Sequence, residues 1–155
     1  MSLETSEGAR LRFADVQPGD EVPAVAFPLS VYRLVMAAGS TRDFNSIHHN
    51  TEAAQASGAP EMYANTFMLL GMWERAVREY VGMTATIRSI SGFRMKKFNI
   101  VGDTTYVGGR VLSKTTTKGV GVVHLEISAW NSLGVTVGPG TVVVEVPLSE
   151  METTS

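Results

Sequence analysis

Asn65-Thr66-Phe67-Met68-Leu69-Leu70-Gly71-Met72-Trp73-Glu74-Arg75-Ala76-Val77-Arg78-Glu79-Tyr80-Val81 is the stretch on which the fold turns. Its first half is apolar on nearly every side of a helix, whereas Glu74, Arg75, Arg78 and Glu79 fall on one stripe and offer two i,i+4 ion pairs. That profile predicts a helix with one end inside the protein and the other at its surface, stopped by Gly82. The apolar run of residues 67–73 is far shorter than the roughly 20 residues that cross a bilayer. The apolar stripe from Met62 to Met72 therefore reads as core.

Everything after this helix reads as extended. Residues 84–98 form two strands or one kinked at Ser91-Gly92, and residues 104–114 form another, in which Gly108-Gly109 signals a bulge or a close backbone approach. Along residues 120–130, Val123, Leu125, Ile127 and Ala129 alternate with His124, Glu126 and Ser128, the period of a half-buried strand. A last strand spans 135–148, with a possible break at Gly138-Pro139-Gly140. On the other side of the helix, residues 22–29 read as an edge or entry strand interrupted by Pro23 and Pro28. Residues 31–38 form a short helix capped by Ser30 and stopped at Gly39, and residues 52–56 a smaller one capped by Asn50 or Thr51. This order predicts an α+β fold, an antiparallel sheet wrapped around a long central helix.

A protein of 155 residues, 44% hydrophobic and 18% charged, fits one domain with a filled core. The polar ends, residues 1–10 and 149–155, are expected to fray and to carry no function. Thirteen basic against fifteen acidic residues give a net charge of −2. No basic run exceeds Lys96-Lys97, so a nucleic-acid partner is not expected. The absence of cysteine removes disulfides, thiolate nucleophiles and cysteine-ligated metals. With no basic-then-apolar start and no bilayer-length apolar run, neither a membrane nor secretion is expected, and the protein is placed in the cytoplasm.

Oxygen and imidazole chemistry remain. The polar, aperiodic stretch Thr41-Arg42-Asp43-Phe44-Asn45-Ser46-Ile47-His48-His49-Asn50 holds two of the three histidines. Asp43 and His48, five residues apart, would sit about 140° from each other on a regular helix, so they converge only through a turn or irregular loop. Held around one water, such a pair could take a proton from it and deliver one elsewhere, as addition of water to an activated double bond requires. The same spacing also suits a helix cap, a turn or a surface ion pair. His49 reads as a surface or packing residue and His124 as solvated on the outer strand face. Lys96-Lys97 reads as a solvated strand face, with phosphate anchoring as the weaker alternative.

Asp43-Phe44-Asn45-Ser46-Ile47-His48, after a short helix and Ala38-Gly39-Ser40, resembles the hydratase motif of the MaoC-like (R)-specific enoyl-CoA hydratases and dehydratases, G-D-x-N-P-[LIV]-H. The resemblance implies a hot-dog fold with residues 65–81 as the central helix, Asp43 and His48 as the catalytic dyad, and Asn45 as support for the loop. Three positions depart from the pattern: Arg42 for Gly, Ser46 for Pro, and Asn65-Thr66 where a His-Gly pair opens the central helix. That opening is where the family holds the thioester oxygen on a backbone amide. Asn65 and Thr66 therefore take the oxyanion and substrate-positioning role, and the Thr66 N–H at a helix N-terminus suits developing negative charge. Met62, Tyr63 and Phe67 are the implied acyl pocket.

Thr41-Arg42-Asp43-Phe44, His48-His49 and Met62-Tyr63-Ala64-Asn65 are similar to the small MaoC-like subunits of actinobacterial hydratases that act on steroid side-chain enoyl-CoA esters. The implied substrate is an acyl-CoA thioester; no metal or other cofactor is expected, coenzyme A being part of the substrate. The implied assembly is a homodimer or a heteromer with a second MaoC-like chain. Two rivals stand beside this: a hot-dog acyl-CoA thioesterase, for which Glu74 is the one early carboxylate on the central helix, and a non-catalytic partner subunit.

Overall fold

A computed structural model describes residues 11–148, so the ends expected to fray, 1–10 and 149–155, lie outside the described residues. Five strands, β1 (Glu21–Pro28), β2 (Thr86–Ser91), β3 (Thr104–Thr117), β4 (Val120–Asn131) and β5 (Gly134–Pro147), form one antiparallel sheet in the order β1-β3-β4-β5-β2. Three helices, α1 (Val31–Ser40), α2 (Thr51–Ala56) and α3 (Thr66–Val81), lie between β1 and β2 in sequence. The sheet curls around α3, giving the α+β hot-dog architecture. Among the described residues no helix is long and apolar enough to cross a membrane.

The period-2 pattern in β4 decides which face packs on the helix. Val123, Leu125, Ile127 and Ala129 are fully buried, while His124, Glu126 and Ser128 are half-buried on the outer face, where Glu126 pairs with Arg110. From α3, Leu69, Met72, Trp73, Ala76, Val77 and Val81 enter the same core. Trp73 is fully buried and meets Phe93 edge-on, with ring centroids 5.1 Å apart. Burying each large apolar side chain contributes roughly 1.5–3 kcal/mol. The polar stripe of α3 forms both i,i+4 pairs, Arg75–Glu79 at 2.6 Å and Glu74–Arg78 at 3.6 Å.

Local chemistry explains where the elements stop. Asn50 rather than Thr51 caps α2, its Oδ1 accepting from Ala53 N–H at 2.8 Å. Gly82, at φ 81°, ends α3. Helix α1 runs past Gly39 to Ser40, because the reversal is made by Arg42 and not by the glycine. The Gly108-Gly109 pair is a close backbone approach: a side chain on Gly109 would overlap the Glu126 carbonyl of β4.

Two strand expectations change. Only residues 86–91 of the 84–98 segment pair regularly. At Gly92 (φ 68°) the backbone turns, and residues 93–98 continue as a strap tied to β5 by the single bridge Met95–Val137. The Lys96 N–H donates to the Thr136 carbonyl at 2.7 Å. Strand β5 itself is continuous through Gly138-Pro139-Gly140. It absorbs the proline with a cis Gly138–Pro139 peptide and a register shift against β4 between Ile127 and Ala129.

Candidate active site

The site is built where α1 ends. Thr41 N–H bonds to the Ala37 carbonyl at 3.0 Å, Arg42 N–H to Gly39 at 3.2 Å and Asp43 N–H to Ala38 at 2.9 Å. The last two bonds are the paired closures of a Schellman turn, which needs a left-handed residue at its centre. Arg42 supplies it at φ 56°. The position where the family motif carries glycine is thus the one whose backbone calls for it, and the turn fixes Asp43 as the second residue beyond the Thr41 C-cap.

Five residues on, a 3-10 turn (Ser46–His48) presents His48. Asn45 caps that turn, its Oδ1 accepting from Ile47 N–H at 3.3 Å. The two irregular turns bring Asp43 Oδ2 to 3.2 Å from His48 Nε2. The imidazole is buried at 8% exposure, whereas the Asp43 side chain is 31% exposed, so the pair opens to solvent from the carboxylate side. His49 faces outward, its ring nitrogen 3.5 Å from the Phe44 carbonyl.

His48 is held from behind. Its Nδ1 lies 2.8 Å from the Tyr63 carbonyl, and a carbonyl only accepts, so Nδ1 carries the hydrogen. Nε2 is then the nitrogen left to exchange a proton with Asp43 or with a water beside the pair. The Tyr63 ring also meets the imidazole edge-on at 5.3 Å and packs on Phe98 at 4.8 Å. Tyr63 is itself positioned by the preceding residues. Glu61 accepts from the Thr51 hydroxyl and from Met62 N–H, and these bonds hold its carboxyl below the usual glutamate range.

The start of α3 lies alongside. Asn65, 3% exposed, caps the helix by accepting from Met68 N–H at 2.8 Å and donates through Nδ2 to Thr41 Oγ at 2.8 Å. Thr41 Oγ in turn donates to the Ala37 carbonyl at 2.7 Å. Both polar ends of the Asn65 side chain are therefore engaged within the protein, and it positions the helix rather than reaching outward. The Thr66 backbone N–H, at the first helical position, has no partner among the described residues, and its hydroxyl rests 3.8 Å from Met95 Sδ.

Of the three residues expected to line an acyl pocket, Tyr63 lines a cavity of about 300 Å³, Met62 packs against the core and Phe67 is exposed. Glu74 is exposed and paired with Arg78, away from the core. Among the described residues, no three His, Asp or Glu side chains cluster as metal ligands. Sequence reasoning passed over Thr41 and the Tyr63 carbonyl. A threonine beside the motif was a visible signal; a backbone carbonyl leaves none.

A five-stranded antiparallel sheet around one helix, with an Asp–His pair where a short helix turns towards that helix's N-terminus, defines a hot-dog protein of the hydratase type. The sequence is 31% identical over 101 residues to the 3-oxo-4,17-pregnadiene-20-carboxyl-CoA hydratase beta subunit of Mycobacterium tuberculosis, covering 65% of this chain and 74% of the relative. It superposes on a subunit of the ChsH1-ChsH2 complex from the same organism with a TM-score of 0.73 at 27% identity, covering 86% of this chain and 98% of that one. A solved MaoC-like dehydratase matches with a TM-score of 0.76 at 27% identity, over 90% of this chain and 43% of that longer one. No protein-family model matches. The chain belongs to the MaoC-like hydratase and dehydratase family.

Proposed function

We propose that this protein hydrates a trans-2-enoyl-CoA thioester to the 3-hydroxyacyl-CoA, with Asp43 and His48 as the catalytic dyad. The observation that carries the reading is the Asp43–His48 contact of 3.2 Å, reached through two irregular turns and open on one side only. A water seated beside the pair, within reach of both Oδ2 and Nε2, gives up a proton to the dyad as its oxygen bonds to Cβ. The π electrons move to the thioester oxygen, and the dyad returns a proton to Cα on the same face. The Thr66 N–H, at the positive end of α3, faces the charge that develops on that oxygen. Every proton is accounted for by a carboxylate, an imidazole and a water, so the reaction requires no cofactor beyond the coenzyme A of the substrate.

The acyl group we infer is a bulky, steroid-derived one, and the working assembly includes a second MaoC-like subunit. Support comes from the relative, a pregnadiene-carboxyl-CoA hydratase subunit, and from the two-subunit complex on which the fold superposes. The test is a panel of short-chain, long-chain and steroid enoyl-CoA thioesters, assayed with and without a co-expressed MaoC-like partner. Loss of enoyl absorbance without release of free thiol is expected. Thiol release instead would identify a thioesterase.

A further inference from the structure

We propose that the outer face of the sheet, at the β4–β5 turn, docks a second copy of this chain about a two-fold axis, with Lys97 of each copy set against Asp103 of the other.

Strand register places the apolar residues of this face. Ala26 of β1 lies opposite Tyr106 of β3, Tyr106 opposite Trp130 of β4, and Trp130 opposite Val135 of β5. These four residues form one row across four strands, about 14 Å long at the usual strand spacing. The row faces away from α3, because the adjacent Val107, Ala129 and Thr136 are fully buried on the other face. The Tyr106 and Trp130 rings stack, with centroids 6.2 Å apart and planes 18° from parallel. Tyr106 and Val135 are nonetheless each 40% exposed, and Leu133, at the turn beside them, is 56% exposed. Single apolar side chains are ordinary on a surface. A contiguous row holding a tyrosine and a tryptophan has the composition of the centre of a protein contact.

The charges beside the row identify its occupant. Lys97 reaches the β4–β5 turn from the strap, its Nζ donating to the Leu133 carbonyl. Asp103 reaches the same turn from the start of β3, its Oδ2 accepting from the Ser132 hydroxyl at 2.9 Å and its Oδ1 from Thr104 N–H at 2.7 Å. Neither residue has an ion-pair partner among the described residues. One cation and one carboxylate, each held only by neutral groups, therefore flank one apolar turn. A two-fold contact sets residue i against j and j against i, so the same surface on a second copy answers both charges, and does so twice. A membrane surface or a nucleic acid would instead select several cations and no carboxylate.

Sedimentation velocity tests this on the wild type, on Lys97→Glu, on Asp103→Lys and on an equimolar mixture of the two variants. Each variant alone sets like charges against each other and should weaken self-association at least about tenfold, sedimenting at half the wild-type mass. In the mixture every pair is again of opposite charge, and the wild-type mass should return. Leu133→Asp changes an exposed turn side chain and neither charge, and it too should halve the mass. Thermal unfolding separates a lost contact from a lost fold; if Asp103→Lys melts early, Leu133→Asp together with Lys97→Glu decides. Unchanged mass in these variants, a mixture that stays at the half mass, or a wild type that sediments as a single 16.7 kDa chain at every concentration overturns the inference.

Discussion

Arg42 occupies a left-handed backbone position, φ 56°, at the turn that delivers Asp43. An L-residue with a side chain is strained there by roughly 1–2 kcal/mol, offset in part for glycine by the larger entropy it loses on folding. Arg42→Gly should therefore stabilise the protein by about 0.5–1 kcal/mol in urea unfolding; a loss of stability would mean that the guanidinium contributes something the turn does not. The dyad is tested by removal of function without removal of shape. Asp43→Asn keeps the volume of a residue already 31% exposed, and His48→Ala vacates a buried ring, so the second variant loses more stability than the first. Each should lower kcat for enoyl-CoA hydration by at least about 100-fold while the circular dichroism spectrum stays native. Full activity in either variant would remove that residue from the mechanism.

At the scale of elements, the site depends on a clamp between the end of α1 and the start of α3. Thr41→Val removes the hydroxyl that accepts from Asn65 Nδ2 but leaves the cap between Asn65 and Met68 intact. The buried amide is then unpaired, at a cost of about 1–3 kcal/mol, and kcat should fall with it. Asn65→Ala loses both the tie and the cap, worth about 1 kcal/mol more. If Thr41→Val is as stable and active as wild type, the clamp has no part in placing Asp43. A second tie is titratable. Glu61 has a folded pKa below its ordinary 4.5 because of its bonds to Thr51 and Met62. Its contribution is complete above that ordinary value and is lost as pH falls through the lowered one. Glu61→Gln should therefore flatten the decline of stability in acid, read from urea midpoints between about pH 5 and pH 3.

The sequence made much at this scale legible. Ser30 stands before its helix as a cap, the cap of α2 is narrowed to Asn50 or its neighbour Thr51, and the β4 alternation reports its buried face directly, because these signals are local; the Asn65 cap emerges only with the fold. The break at Ser91-Gly92 was legible from its glycine, but not that residues 93–98 leave the regular sheet as a strap, since that depends on Gly92 meeting Gly140, 48 positions further on, and on the register of β5. The clamp was not legible for the same reason: Thr41 and Asn65 lie 24 residues apart and only the fold joins them.

At the scale of the whole molecule, the sheet has two edges of different character. Strand β1 carries Pro23 and Pro28, which cannot donate to an added strand and so blunt that edge. Strand β2, Thr86–Ser91, carries no proline and offers unpaired backbone groups on the side away from β5. A second MaoC-like subunit, identical or not, is therefore expected to add along β2 and extend the sheet, giving a particle of at least twice 16.7 kDa by light scattering. Amide exchange locates the contact. In the assembled protein the outward N–H groups of residues 86–91 should exchange more slowly than at dilutions where the assembly dissociates, while those of residues 21–28 should not change. Slowing confined to β1 would place the partner on the proline-bearing edge and overturn the expectation.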